Sequence, residues 1–297
     1  MDKKASIITS MRVPFLVLTP ACVLLAGALA NYQGLDFSYV NWLIVLVGAL
    51  AAHIAVNLIN EYQDFESGLD LKTKQTPFSG GSGLLPENPH LANNVWKAFI
   101  VSMIVIVGIG VYFFAVFGWQ IIPLGLLGLV VIVTYTKFIN KSAILCLVAP
   151  GFGFGSLMVV GSYFCLTGQF SHQMWMLSFI PFFLVNNLLL LNQYPDIEAD
   201  KTVERNHFPI RFGIKASNIA FIIFAVSAQI LLIYMIKVGV LPTMSLLALI
   251  PMALSFISIA GMLKLGGDIA TEPKFLAANV ACNILTPLVL SLTLFIA

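Results

Sequence analysis

Two short runs hold most of the carboxylates that could do chemistry. The first is Asn57-Leu58-Ile59-Asn60-Glu61-Tyr62-Gln63-Asp64, followed by Glu66 and Asp70. The second is Asn192-Gln193-Tyr194-Pro195-Asp196, followed by Asp200. Each sets an Asn four residues before an Asp, just where a long apolar run gives way to polar sequence. Amide and carboxylate oxygens in two opposed groups suit Mg²⁺, which keeps several waters and is usually held through one or two carboxylates plus a substrate phosphate. Cations follow each group: Lys72 and Lys74 after the first, Lys201, Arg205 and Arg211 after the second. Arg grips phosphate oxygens as a fork and Lys as a point charge. Between the first group and the next apolar run stands Phe78-Ser79-Gly80-Gly81-Ser82-Gly83, whose glycines let backbone N–H groups approach a phosphate closely.

Helical spacing extends the first group inward. His53, Asn57, Asn60 and Asp64 fall on one stripe of an α-helix. In a membrane helix such a stripe faces protein or a water-filled cavity, so His53 and Asn57 are expected to line a substrate pocket. In the second group Asn192, Asp196 and Asp200 share a face if the helix continues through Pro195. Glu61, Glu87, Asp268 and Glu272 read as ordinary interfacial charges, and His90, His172 and His207 as loop residues.

The elements that must position these groups are membrane helices. The chain has 297 residues, 59% hydrophobic and 9% charged; a water-exposed surface needs far more charge. Apolar runs recur at about 14–32, 40–61, 95–117, 119–136, 143–164, 173–195, 216–236, 241–262 and 276–297, each long enough to cross roughly 30 Å of hydrocarbon. They are too long and uniform for barrel strands. The expected fold is an all-α polytopic membrane protein of nine spans around a central cavity, capped by two polar loops near 62–94 and 196–215, in a single domain over 1–297. The basic start followed by an apolar run reads as a retained first span rather than a leader.

Of the 15 Lys and Arg residues only Lys237 falls on the side opposite the two acid groups. That asymmetry puts the N-terminus and both polar loops in the cytoplasm and the C-terminus outside. The expected location is the cell inner (plasma) membrane. Cys22, Cys146, Cys165 and Cys282 lie in apolar surroundings without metal spacing, and read as reduced thiols. Gly151, Gly153, Gly155 and Gly161 read as helix packing rather than a nucleotide loop. A secondary transporter would carry its polar groups near the bilayer midplane, whereas these acids lie at helix ends.

The chain resembles the UbiA superfamily of intramembrane aromatic prenyltransferases over nearly its whole length. The matching residues are Asn60 to Asp64 with Gly68 and Asp70, Gly80-Gly81-Ser82-Gly83, Tyr135-Thr136, the series Asn192, Asp196, Asp200, Lys201, and Pro209, Arg211 and Gly213. Glu61 stands where family members often carry Asp. The glycine-containing first motif is most similar to the MenA branch, which prenylates 1,4-dihydroxy-2-naphthoate in menaquinone synthesis. The resemblance implies Mg²⁺ held by Asn60, Asp64, Asn192, Asp196 and Asp200, with Asp64, Asp70, Asp196 and Asp200 catalytic. It implies a polyprenyl diphosphate donor held by Arg12, Lys72, Lys74, Ser79, Gly80, Gly81, Ser82, Tyr135, Lys137, Lys141, Lys201, Arg205 and Arg211. An aromatic acceptor and the lipid bilayer complete the expected partners, with no nucleic acid and no obligate protein partner; 4-hydroxybenzoate or another quinone or lipid precursor is the alternative acceptor.

Overall fold

The computed structural model describes residues 6–73, 75, 76 and 78–297; Lys74 lies outside them. All regular structure among the described residues is helical. Among the described residues eight helical stretches are long and apolar enough to cross a membrane. We label the helices α1 (Leu18–Tyr32), α2 (Tyr39–Glu66), α3 (Ala92–Phe117), α4 (Ile122–Thr134), α5 (Ala143–Thr167), α6 (His172–Asn192), α7 (Phe208–Lys237), α8 (Leu254–Leu265) and α9 (Pro273–Ile296). A lipid interior offers backbone groups no partners, so each stretch must satisfy its own N–H and C=O groups, which an α-helix does.

The expected spans 95–117 and 119–136 form one stretch, Pro89–Thr134. Gly118 breaks it with φ 79° and ψ −161°, a backbone only glycine adopts readily. Val95 and Phe99 of α3 pack in one cluster with Ile132 of α4, while Phe113 packs in another with Ile121. The start of α3 thus lies beside the end of α4, as in a hairpin.

Helix α1 is the central post. Ala21, Cys22, Val23, Leu25, Ala26, Ala28, Leu29 and Ala30 are all fully buried, as suits a helix apolar all round, and it packs along α9, α2 and α5. The outward face of α3 carries Val101, Ile104 and Val111, each at least 60% exposed; in a bilayer that face meets lipid tails. All four cysteines are free and buried.

Helix α5 bends through a π-helical stretch, Phe152–Val159, after Pro150 removes one backbone donor. Gly151 and Gly155 there press against α6: a Cβ on Gly155 would stand 2.6 Å from Phe182 Cα, and one on Gly151 2.6 Å from Asn186 Cγ. These two are packing glycines. Gly153 and Gly161 are different, since a Cβ on either would meet nothing within 4 Å. They line a cavity of about 390 Å³ enclosed chiefly by α2, α3, α4 and α5. Gly110, Gly125 and Gly128 line the same space. Most of its wall is aliphatic or aromatic, and its polar lining includes Arg12, His53, Asn57, Asn60, Tyr135 and Asn192.

Candidate active site

The first acid group sits on α2 itself, which runs to Glu66, a turn beyond its expected end. Ser67 Oγ donates to the Asp64 carbonyl at 2.9 Å and Gly68 follows at φ 75°, which closes the helix there. His53, Asn57 and Asn60 face the cavity as their spacing requires. His53 Nδ1 lies 2.9 Å from Thr19 Oγ1, and its ring packs edge-on against Phe154 at 4.6 Å. Asn57 Nδ2 donates to the Met11 carbonyl at 3.0 Å. Asn60 Nδ2 donates to Asp64 Oδ2 at 3.0 Å and Thr136 Oγ1 at 3.1 Å, while its Oδ1 accepts from Arg12 Nη2 at 3.5 Å.

The second group does not continue one helix through Pro195. Helix α6 ends at Asn192, because a residue before proline avoids the α conformation. The chain turns, and Asp196 begins a short helix, Ile197–Lys201. Asp196 and Asp200 remain one turn apart, with the Asp200 N–H on the Asp196 carbonyl at 2.8 Å. Asn192 reaches the cavity from the other helix.

Long-range contacts join the two groups. Arg205 Nη2 donates to Asp64 Oδ1 and its Nη1 to Asp200 Oδ1 at 2.9 Å. His207 Nε2 lies 2.9 Å from Asp200 Oδ2 and is buried, so it belongs to the site rather than to an open loop. The glycine run forms a strap across both groups. Its Gly80 N–H donates to Asp196 Oδ2 at 3.3 Å. Gly81 has φ 74°, and a Cβ there would stand 2.8 Å from Asp70 Oδ1. Phe78 on the same strap lines the cavity.

Glu61 latches this strap and is not an interfacial charge. It is fully buried and accepts from the Ser82 N–H at 3.2 Å and from Ser82 Oγ. Removing the acceptor leaves a half-buried donor unpaired, which costs about 1 kcal/mol, the lower end of the range for an unpaired donor. Glu61→Ala is therefore expected to raise the KM for a prenyl diphosphate several-fold, with a smaller effect on kcat. Glu61→Gln keeps an acceptor for Ser82 and should retain most of the affinity; steady-state kinetics on the two variants separates latch from charge.

Burial, reinforced by the Asp64 and Glu61 carboxylates, pushes Asp70 up to about 7. Burial, with Asp200 beside it, pushes Asp196 up to about 7. Unfolded carboxyls titrate near 4. Between those values the folded chain holds protons that the unfolded chain has lost, so folding stability falls as pH rises through that window. The protein should melt at a lower temperature at about pH 8 than at about pH 5, and Mg²⁺ should narrow the gap at the higher pH. Thermal melts across that range check both.

The donor set fits Mg²⁺. Asp70 Oδ2, Asn192 Oδ1 and Asp196 Oδ1 are buried oxygens without a partner, and buried acceptors normally have one. Among the described residues no three His, Cys, Asp or Glu side chains already converge as a metal cage; Arg205 contacts both Asp64 and Asp200.

The other predicted cations are spread more widely. Arg12 lines the cavity rim in the left-handed conformation, φ 52°, with its Nε buried and unpartnered. Tyr135 lines the cavity beside Thr136. Ser79 is tied to Thr76 within the strap. Lys72 Nζ donates to Thr202 Oγ1 at 3.4 Å, linking the two polar loops. Lys141 pairs with Glu204 at 3.0 Å and Lys201 with Glu198 at 2.7 Å, both half-exposed and turned from the acids. Lys137 and Arg211 are exposed. His90 and His172 are exposed, as expected.

The sequence pattern of the UbiA prenyltransferase family matches residues 18–280. The chain belongs to that family. A curated relative, the 1,4-dihydroxy-2-naphthoate octaprenyltransferase of Bacillus subtilis (strain 168), is 28% identical over 208 residues. That match spans 66% of this chain and 62% of the relative, less than two thirds of its length. The fold is similar to that of a UbiA homolog from Aeropyrum pernix K1, with TM-score 0.72 at 15% identity over 95% of this chain and 97% of that one. It is also similar to a UbiA homolog from Archaeoglobus fulgidus bound to DMAPP and Mg²⁺, with TM-score 0.65 at 14% identity over 96% and 98%. This UbiA-family chain is thus an all-helical integral membrane protein.

Proposed function

We propose that the chain transfers a polyprenyl group from a polyprenyl diphosphate to an aromatic acceptor, 1,4-dihydroxy-2-naphthoate. The observation that carries this reading is the union of two unlike compartments: an apolar, glycine-walled cavity, and buried acid and amide oxygens without partners at its polar side. A hydrocarbon tail fits the first and a diphosphate head, with its cation, fits the second. The relative's named activity and the Mg²⁺ and DMAPP of the solved homolog support the same division.

Asn60, Asp64, Asn192, Asp196 and Asp200 would hold Mg²⁺, which would supply charge neutralisation to the diphosphate. Arg12 faces the head group from the rim, and the Gly80 to Ser82 strap, with Tyr135, encloses it. Lys72 and Arg205 add charge from the loops; Lys137, Lys141, Lys201 and Arg211 draw the anion toward the site from outside. The allylic C–O bond breaks with its electron pair leaving on diphosphate, an electron-rich ring carbon bonds to the allylic carbon and gives up its proton, and the carboxylate leaves as CO2, the ring carbon it vacates taking up a proton in its place. Electrostatic stabilisation of the leaving group is the main catalytic effect. The apolar wall keeps water from the allylic cation. Of the two acids suited to receive a proton, Asp70 keeps a free oxygen, while both oxygens of Asp200 are engaged. His53 and Asn57 orient the acceptor.

In this reading residues 1–297 form one domain of nine crossings, counting α3 and α4 separately, in the cell inner (plasma) membrane. Both polar loops face the cytoplasm. The test is an acceptor panel. Purified protein with Mg²⁺ and a polyprenyl diphosphate should prenylate dihydroxynaphthoate, with loss of its carboxylate, far faster than 4-hydroxybenzoate. The reverse preference would overturn the acceptor while keeping the reaction class.

A further inference from the structure

We propose that Arg205 is a built-in substitute for a divalent cation, which it must yield to the metal before it can serve the diphosphate. The inference rests on the reading above that the two acid groups bind a metal ion.

Every carboxylate oxygen of Asp64 and Asp200 is engaged. Asp64 Oδ2 accepts from Asn60 and Asp200 Oδ2 meets His207; the remaining Oδ1 of each acid is held by one arm of the Arg205 guanidinium. Asp64 lies in the last turn of α2 and Asp200 in the short helix Ile197–Lys201, 136 positions apart by their numbers. Arg205 is the cation that bridges them, and its side chain is only 15% exposed. Two buried acids facing one another need positive charge between them. A divalent ion held by both acids would draw on carboxylates that Arg205 now occupies, and it would repel a guanidinium beside it. The two cations therefore exclude each other.

The geometry also gives an order. Asn192 Oδ1 and Asp196 Oδ1 are buried and unengaged, so they would receive an incoming ion without breaking any contact. Asp64 and Asp200 join only when Arg205 lets go. The backbone around Arg205 is pinned and need not move: its N–H donates to the Asp200 carbonyl at 3.2 Å, the Asn206 N–H to the Asn140 carbonyl at 3.0 Å, and Glu204, at φ 60°, pairs with Lys141. Only the side chain swings. A freed guanidinium beside a diphosphate finds a second bidentate partner. Metal and substrate thus recruit Arg205 jointly, and metal alone works against it.

The test is Mn²⁺ binding to the full-length protein in detergent, read by loss of the free-ion EPR signal, without and then with inorganic pyrophosphate. Without pyrophosphate, Arg205→Gln should bind Mn²⁺ about tenfold more tightly than wild type, a typical coupling between linked binding events. Arg205→Lys should fall between them, because an ammonium cannot span both acids as the fork does. With pyrophosphate the order should reverse, wild type becoming the tightest. Equal or weaker Mn²⁺ binding by Arg205→Gln without pyrophosphate would overturn the proposal and show Arg205 to be structural. An order unchanged by pyrophosphate would remove the transfer to diphosphate. Should Arg205→Gln not fold, Arg205→Lys carries the same comparison. Silence of wild type with and without pyrophosphate would instead remove the metal-site reading, and this inference with it.

Discussion

Asp196→Asn should lower kcat at least about a thousandfold while leaving the thermal melt of the protein nearly unchanged. The substitution keeps size and shape, and the new amide oxygen can still accept the Gly80 N–H that Asp196 Oδ2 accepts at 3.3 Å. What is lost is the charge of an acid whose other oxygen is buried without a partner. Removing one preorganised group at a developing charge costs about 10²–10³ in rate, and here the lost group also holds the cation, so the larger figure applies. Asp64→Asn should cost a similar factor, but with a lower melting temperature, because it also leaves one arm of Arg205 without its acid. Asp36→Asn, at an exposed position away from the acid groups, is the control and should do neither. Initial rates and melts on the three variants decide the point.

Gly155→Val should destabilise the fold on the order of 3 kcal/mol, the upper part of the range for overpacking. The backbone of α6 at Phe182 fills the space a Cβ would need, and backbone cannot rotate aside as a side chain can. The damage should reach the active site, because α6 carries Asn192 and leads directly to Asp196. Gly153→Val, two residues away on the same π-helical stretch, should leave the melt nearly unchanged, since nothing stands within 4 Å of its Cβ position. Its side chain instead enters the cavity, so it should lower the rate with long prenyl chains more than with short ones. Melting temperature for the first pair and a chain-length series for the second separate packing from pocket.

Local periodicity made much of the site legible in the sequence. The stripe from His53 to Asp64 lies on a single helix, and residues spaced by four along a helix share a face in any fold. The membrane class followed from composition, since lipid permits few backbone solutions. What stayed hidden depends on contacts between distant segments. Glu61 looked like a surface charge because its partner, Ser82, lies 21 residues away in a different element. His207 looked like a loop residue because Asp200 is reached only after the chain folds back from the short helix. Lys141 and Lys201 looked available to phosphate, but each has a nearer acid. Pro195 carries the local signal for the break, since α6 ends at Asn192 shortly before it. Gly118 marks a break in backbone conformation inside the continuous helical stretch Pro89–Thr134, where the sequence reads as two separate spans.

The central claim is that this site ionises a prenyl diphosphate for transfer to an aromatic ring. The measurement that tests it most directly is release of free diphosphate by the purified protein, followed together with prenylated product, with and without Mg²⁺. The account predicts that diphosphate and the prenylated, decarboxylated product appear in equal amounts, that both need Mg²⁺, and that both form about a thousandfold more slowly with Asp196→Asn. Diphosphate release that ignores the aromatic acceptor, or product formation that survives both chelation and Asp196→Asn, would contradict it.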